Sequence, residues 1–537
     1  MMLQERAAED DPTEPQRIEA TGYGVAVRPP FALPRVDSVV MSAADRRRYA
    51  LLSVLAVIAV VAFAAYWIPA VWHGPMPTLS FAVSELLLFQ LAVWAARWIA
   101  LPRMRHPQPV TVPERLRVAA VTTFVPSHEP LDMLARTLRA MVDMHGVHDT
   151  WLLDEGDDAA ARALCAELGV RHFSRLGAAQ YNTDAGIFSA RSKYGNYNAW
   201  LDAVGFDTYD VLATFDTDHV PQTEYLTRTI GYFSDPHVAF VQPAQVYGNQ
   251  DASFVARASA EETYAYYSSQ LMASYALGHT VVIGSHGIHW LPALRAVGSF
   301  PAHDAEDLYL TMVYKAAGWQ GVYVPEVLAV GSTPSDWSGY LHQQLRWSRS
   351  LLDLKLRQFP RLAGDLGLIE RVLSLLHGAY YLRALALPVL YAMLIYLLLV
   401  GVVPAVLTPQ SIAAVALLGC VLGLIGAFRQ RYYLVPQRER GVPWRSILIQ
   451  FAKWPTFMRA VLDVAGGTER EYVITRKDGR GPRQWVLAPT QLAVAGAMAA
   501  AWMVGTLRNG SLPIVLTLAA AVPVLVAVSL AWSEARR

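Results

Sequence analysis

The chain has 537 residues, too many for one hydrophobic core, so two or three structural units are expected. Apolar residues make up 54% and charged residues 17%, with a mean hydropathy of +0.26; this excludes an ordinary soluble protein and points to a membrane protein carrying a soluble part. A formal net charge of +1 excludes a global basic field for nucleic acid, and two cysteines, Cys165 and Cys420, exclude a disulfide framework.

Residues 1–45 read as a disordered tail. They do not resemble a signal peptide, because the first apolar run begins only after Arg46-Arg47-Arg48. The unit 46–105 predicts two transmembrane helices, Leu51 to Trp72 and Thr78 to Leu101. Each is near the length that crosses about 30 Å of hydrocarbon. Their joining loop, H-G-P-M-P, has no Lys or Arg, whereas Arg46 to Arg48, Arg97, Arg103 and Arg105 flank the pair, so both flanks are expected in the cytoplasm.

From 106 to 345 strand-like segments alternate with helical ones. Leu116 to Val125 predicts a buried strand, and Leu131 to Met144 a helix with Leu131, Leu134, Leu138 and Met141 on one face. Thr150 to Leu153 predicts a strand ending in D-E-G-D-D, Ala159 to Leu168 a helix, and Val170 to Phe173 a strand. The alternation implies an open, mainly parallel sheet with ligands beyond the carboxyl ends of its strands. A further buried strand runs through Val211 and Leu212 into A-T-F-D-T-D-H-V-P, Ala213 to Pro221. Side chains two apart on an extended chain point the same way, so Asp216 and Asp218 can face one hard cation, Mg²⁺ or Mn²⁺. Alone, D-x-D is more often a solvated acidic loop, and acidic strand-to-helix loops commonly cap helices.

Leu341 to Phe359 is amphipathic, with Leu341, Leu345, Leu352, Leu356 and Phe359 as one stripe, and the unit 346–380 is expected to lie in the membrane interface; packing on the soluble core is the alternative. Two more spans, Tyr381 to Val403 and Ser411 to Phe428, fill 381–428; a basic loop fills 429–489; Thr490 to Leu507 and Leu512 to Trp532 fill 490–537. This pattern leaves both termini on the cytoplasmic side, with Arg508 the discordant charge.

Asp154, Asp216-Thr217-Asp218, Glu306-Asp307 within A-E-D-L-Y-L-T, and Gln343-Gln344-Leu345-Arg346-Trp347 stand in order along the soluble unit. Lys193 to Ala199 (K-Y-G-N-Y-N-A), Gln242-Pro243, Ile283 to Phe300 and Tyr472 to Lys477 (Y-V-I-T-R-K) accompany them. Over about residues 110–480 this series resembles the processive family 2 glycosyltransferases, in particular bacterial cellulose synthase catalytic subunits. The resemblance implies an α/β domain of GT-A fold on the cytoplasmic side, plus an α-helical transmembrane domain of about six spans in the plasma membrane. It implies an inverting enzyme that polymerises a UDP-sugar, UDP-glucose foremost, into a β-linked, cellulose-like polysaccharide and moves it across the membrane. The implied partners are the UDP-sugar donor, the growing polysaccharide, the lipid bilayer and an export partner in the periplasm or cell envelope, with no nucleic acid. The alternatives are a non-processive relative that adds one sugar to a lipid carrier, and a polymer of another β-linkage.

In that scheme Mg²⁺ or Mn²⁺ on Asp216, Asp218 and His219 neutralises the departing pyrophosphate, although a histidine beside Pro221 serves equally as a structural residue. Asp307 is the expected general base, with Asp304 and Glu306 as close alternatives. Asp154, Lys193 and Asp216 are assigned to the nucleotide-sugar, with Ser127 and Glu129 beside them. Arg346 offers phosphate a planar fork, and Thr475 and Lys477 belong to a loop that closes over the nucleotide. Ser285, Glu306, Gln343 and Trp347 are assigned to the acceptor, Trp347 as a stacking face. Three departures stand out: F-V-P-S-H-E-P replaces P-x-Y-N-E, D-E-G replaces D-D-G, and Gly284-Ser285-His286 replaces Cys-Gly-Ser or Gly-Thr-Gly. His286 and His289 are expected to influence acceptor or linkage choice. Trp485 leads almost directly into the fifth predicted span, so no cyclic-dinucleotide-binding β-barrel is expected there.

Overall fold

The computed structural model describes residues 36–73, 76–111, 116–382, 385–468 and 485–535. Ten strands are present among them: β1 (Asp37–Val39), β2 (Arg105–Pro107), β3 (Val118–Phe124), β4 (Asp149–Asp154), β5 (Arg171–Phe173), β6 (Val211–Phe215), β7 (Val220–Pro221), β8 (Val238–Tyr247), β9 (His286–Trp290) and β10 (Gln320–Gly331). Eight of them form one sheet in the order β5-β4-β3-β6-β9-β8-β10-β7. β5, β4, β3 and β6 run parallel, as do β8 and β10. The sheet is nevertheless mixed rather than mainly parallel. β9 lies antiparallel between β6 and β8, and β7 pairs antiparallel with the end of β10. Central strands covered on both faces need continuous apolar runs, and V-L-A-T-F of β6 is buried throughout.

The helices that cover the sheet follow the predicted spacing. Leu131–Val142 buries Leu134, Thr137, Leu138 and Met141, three to four residues apart. Ala159–Leu168 starts where the Asp158 carboxylate accepts the Ala160 and Ala161 amides and stops at Gly169, whose φ of 68° closes the last turn.

Among the described residues, four helices are long and apolar enough to cross a membrane: Ala43–His73, Pro409–Tyr432, Ala488–Asn509 and Ile514–Ala535. Leu368–Leu382 and Ala386–Val400, bent by 45°, make a fifth span if taken together, where the sequence predicted a span from Tyr381 to Val403. Pro77–Ala100, 24 residues long, packs beside the first helix. Polar side chains join that pair: Trp67 Nε1 donates to Ser84 Oγ at 2.8 Å, Trp98 Nε1 to Ser53 Oγ at 2.8 Å, and the Tyr49 hydroxyl to the Trp98 carbonyl at 2.7 Å.

Three expectations are revised. The tail assigned to 1–45 ends in structure, because β1 pairs antiparallel with β2 and the first helix already begins at Ala43. The region 429–489 is not simply a loop: Trp444–Ala465 is a 22-residue helix that buries Ile449, Ala452, Lys453, Phe457 and Ala460. The amphipathic stretch folds as Trp337–Asp353 followed by a wider turn, and it packs on Trp444–Ala465. Leu352 is buried there, whereas Leu356 from the same predicted stripe is 63% exposed, because the wider turn rotates it outward.

Candidate active site

Strand β6 delivers Phe215 into the core and Asp216 to the sheet edge, and the following turn is held from three sides. The Asp216 amide donates to the Ser285 carbonyl at 2.7 Å, Thr217 Oγ1 to the Thr123 carbonyl at 2.6 Å, and Thr137 Oγ1 to the Thr217 carbonyl at 2.6 Å. Carboxylate oxygens of Asp216 and Asp218 and a ring nitrogen of His219 lie within 4.8 Å of one another. Two carboxylates and an imidazole are hard and borderline donors, a set that fits Mg²⁺ or Mn²⁺.

Lys193 Nζ reaches Asp216 Oδ1 at 2.5 Å and also donates to the Gly284 carbonyl. Burial alone would lower its pKa, but the charges of Asp216, Tyr197 and Glu306 carry it above the ordinary lysine range. Lys193 opens the helix Lys193–Trp200, which Ser192 caps by accepting the Gly195 amide at 3.1 Å. Beneath it lies Arg175, 1% exposed. Its guanidinium is paired to both Glu155 oxygens, at 2.8 and 3.1 Å, and donates to the carbonyls of Tyr181, Ser189 and Ser192. A Cβ on Gly195 would collide with the Ser189 carbonyl and stand 2.7 Å from Arg175 Nη1, which is why the K-x-G-N segment needs glycine at that place.

Opposite the carboxylates, Glu306 and Asp307 open the helix Glu306–Ala316. Asp307 Oδ2 accepts the Gly284 amide at 2.9 Å, and Oδ1 accepts the Leu308 amide at 2.7 Å. Burial and then the charge of Asp307 push the Glu306 carboxyl up to about 8. Burial also raises Asp307, against the pull of the Leu308 and Gly284 amides. Asp307, held by two amides, is therefore the better-stabilised anion of the pair, and Glu306 the more readily protonated.

Arg346 and Trp347 stand one turn beyond Gln343 on the helix Trp337–Asp353, whose start Asp336 caps through the Gly339 amide at 2.9 Å. They line a cavity of about 1870 Å³ together with Asp216, Asp218, His219, Lys193, Glu306 and Asp307. Ser127, Glu129, Ser285 and Asp304 line it as well. Ser127 Oγ is 2.7 Å from His128 Nδ1, and Glu129 Oε2 accepts the Val125 amide at 2.9 Å. Asp154 is not on the wall. It is fully buried beneath it, accepting the amides of its own turn, Gly156 at 3.0 Å and Asp158 at 2.6 Å, and standing 3.2 Å from His172 Nε2. Thr475 and Lys477 fall outside the described residues.

His286 and His289 do not line the cavity; both are buried on β9. His289 sits against Phe300 and Tyr314 in the core, and burial drives both rings down to about 3, so they are neutral. An influence on acceptor choice would pass through neighbours on the cavity wall: Ser285, whose Oγ is 3.3 Å from His286 Nδ1, and His219, whose ring centroid lies 5.5 Å from that of His286.

At the far end of the cavity lies a group that motif reading missed. Lys453 is 1% exposed and pairs with Glu262; it also donates to the Tyr380 hydroxyl at 2.5 Å. Glu262 accepts from the Tyr340 hydroxyl at 2.5 Å and from Gln450. Four helices meet in these contacts, and the only sequence sign was one lysine among the apolar residues of Trp444–Ala465.

Residues 119–350 match the family described as Glycosyltransferase like family 2. The chain is 27% identical, over 311 residues, to the cellulose synthase catalytic subunit [UDP-forming] of Xanthomonas axonopodis pv. citri (strain 306), covering 55% of this chain and 40% of that protein. It is 25% identical over 245 residues to the probable glucomannan 4-beta-mannosyltransferase 4 of Oryza sativa subsp. japonica, covering 44% of each. The chain thus spans less than half the length of either relative. A solved structure of a mannosyltransferase from Pyrobaculum calidifontis, in complex with GDP-Man and Mn2+, is similar to 77% of this chain and 100% of its own, with a TM-score of 0.45 and 15% identity. The fold rests on the sheet order described above rather than on that likeness. Residues 119–350 thus match a glycosyltransferase family 2 domain, and the chain that carries them is similar over about half its length to cellulose synthase catalytic subunits.

Proposed function

We propose that the protein is a membrane-embedded, inverting, processive glycosyltransferase that builds a β-linked polysaccharide from a UDP-sugar, most simply UDP-glucose. The observation that carries this reading is the meeting of the Asp216–Asp218–His219 cluster, Lys193 and the Asp307 carboxylate on one cavity. Asp216 and Asp218, with His219, would hold Mg²⁺ or Mn²⁺, which as a Lewis acid supplies charge neutralisation for a diphosphate leaving group. Lys193 holds Asp216 in place and adds positive charge beside the nucleotide. Asp307 takes the proton from the attacking acceptor hydroxyl, and one displacement inverts the anomeric carbon. Glu306, pushed up to about 8, stays protonated near neutrality and leaves Asp307 as the single anion of the pair. Gln343 bonds sugar hydroxyls, Trp347, 38% exposed on the wall, offers a face to the acceptor ring, and Arg346 offers its fork to phosphate oxygens. Asp154 serves the nucleotide indirectly by shaping the D-E-G turn. Thr475 and Lys477 close over the nucleotide. The acceptor chain leaves past Tyr380 and Tyr381 between the apolar helices, the catalytic side faces the cytoplasm, and an envelope partner receives the polymer beyond the bilayer.

A mannosyl donor is the second reading, favoured by the similarity to a glucomannan mannosyltransferase. One experiment separates them. Purified full-length protein is incubated with labelled UDP-glucose or GDP-mannose and Mn²⁺, and the product is sized and digested with linkage-specific hydrolases. A long β-1,4-glucan is expected, with synthesis stopped by EDTA and restored by Mn²⁺ or Mg²⁺. A discrete glycolipid would overturn processivity, and synthesis undiminished by EDTA would overturn the metal.

A further inference from the structure

Gln245 lies near the carboxyl end of β8, opposite Ala329 of β10, and is buried. Its amide joins two sides of the cavity. Oε1 accepts from Ser285 Oγ at 3.0 Å, and Nε2 donates to the Tyr247 hydroxyl at 3.1 Å and stands 3.1 Å from His219 Nε2. On the other edge of the imidazole, Nδ1 is 3.1 Å from Asp218 Oδ1. An ionised carboxylate only accepts, so in this arrangement Nδ1 carries the proton and Nε2 accepts from Gln245. Turning the amide by half a rotation gives the converse arrangement. Oε1 then accepts an Nε2–H proton and the Tyr247 hydroxyl proton, while the amide nitrogen donates to Ser285 Oγ. Hydroxyls donate and accept equally well, so both orientations satisfy Ser285 and Tyr247, and the second leaves Nδ1 bare beside the Asp218 carboxylate, where only a cation can satisfy both. The ring itself has no freedom to swing away, because it packs against the α-carbon of Gly331, where a Cβ would run into His219.

We propose that Gln245 is a positioning residue for the cation site. It grips His219 by Nε2 in either amide orientation, and so holds Nδ1 beside Asp218, on the side where a divalent ion would sit. A nitrogen that donates an electron pair to a cation cannot also carry hydrogen, and the other ring nitrogen then needs an acceptor for its own N–H. Gln245 provides that acceptor, and an apolar side chain could not. The inference rests on the divalent-cation reading above.

The test titrates Mn²⁺ into full-length protein in detergent and follows free Mn²⁺ by electron paramagnetic resonance. Gln245→Leu is expected to weaken Mn²⁺ binding by about 10- to 100-fold, the usual effect of losing an outer partner of a ligating histidine. Gln245→Glu, which keeps an acceptor toward Nε2, is expected to retain most of the affinity. A Gln245→Leu protein that binds Mn²⁺ within twofold of wild type would overturn the proposal and leave the metal reading intact. Wild-type protein that fails to bind Mn²⁺ would overturn both. Should the leucine variant elute as aggregate, Gln245→Met, closer in shape, is titrated in its place with the same two outcomes.

Discussion

Glu306 and Asp307 illustrate how burial converts an acidic dipeptide into a tuned pair. A carboxyl whose folded pKa is raised favours the native state below its unfolded value near 4.3, and that advantage fades as pH rises through the folded value. For Glu306, raised to about 8 by burial and by its neighbour, thermal stability is therefore expected to decline between about pH 4.3 and 8. Glu306→Gln should flatten that decline, measured as melting temperature against pH. The same substitution replaces a carboxyl that is already neutral where Asp307 titrates, so the acid limb of kcat/KM is expected to stay in place, and a large shift would show that Glu306 is ionised there. Asp307→Asn should lower kcat by about 10²- to 10⁴-fold, the range general bases contribute, while calorimetry shows UDP binding unchanged. Retained synthesis would remove Asp307 from the mechanism. These acidic residues were legible in the sequence because they end apolar strand runs or begin a helix. Their supports were not. Arg175 clamps carbonyls across a loop with no periodicity, and Gln245 meets Ser285 and His219 only through the pairing of β6, β8, β9 and β10.

The helix Trp444–Ala465 shows the limit of reading elements from hydropathy. Pro455 and its basic residues resemble a loop, yet Ile449, Ala452 and Ala460 recur at near-helical spacing and pack with Trp337–Asp353, while Phe457 meets Tyr380 and Tyr381. The mixed sheet was hidden for a related reason: a buried strand reads the same in either direction, so the reversal of β9 leaves no trace in its residues. Lys453 ties this helix to Phe254–Ala265 through Glu262. Removing one partner of a buried pair leaves the other uncompensated, at a cost of about 3–5 kcal/mol. Lys453→Met should therefore lower the melting temperature in detergent well below that of wild type. Adding Glu262→Gln to it should recover part of the loss, and independent, additive effects would show that the pair does not couple these helices.

Across the whole molecule, one apolar helical layer and one mixed-sheet domain share a wall, and the apolar helices were the most legible part because length and composition alone identify them. The proposed orientation makes a direct prediction. Cys165 is buried and Cys420 lies within an apolar helix, while Asp207 is exposed on the sheet domain. A membrane-impermeant maleimide should leave Asp207→Cys unlabelled in intact cells and label it after permeabilisation. Labelling of intact cells would place the domain outside.

The cavity that joins the sheet edge to Tyr380 and Lys453 has a pharmacological corollary. A compound wedged against the Glu262–Lys453 pair would share an enclosure with the nucleotide without overlapping its seat. Such an inhibitor would be noncompetitive toward the sugar donor, and cellular nucleotide pools could not outcompete it.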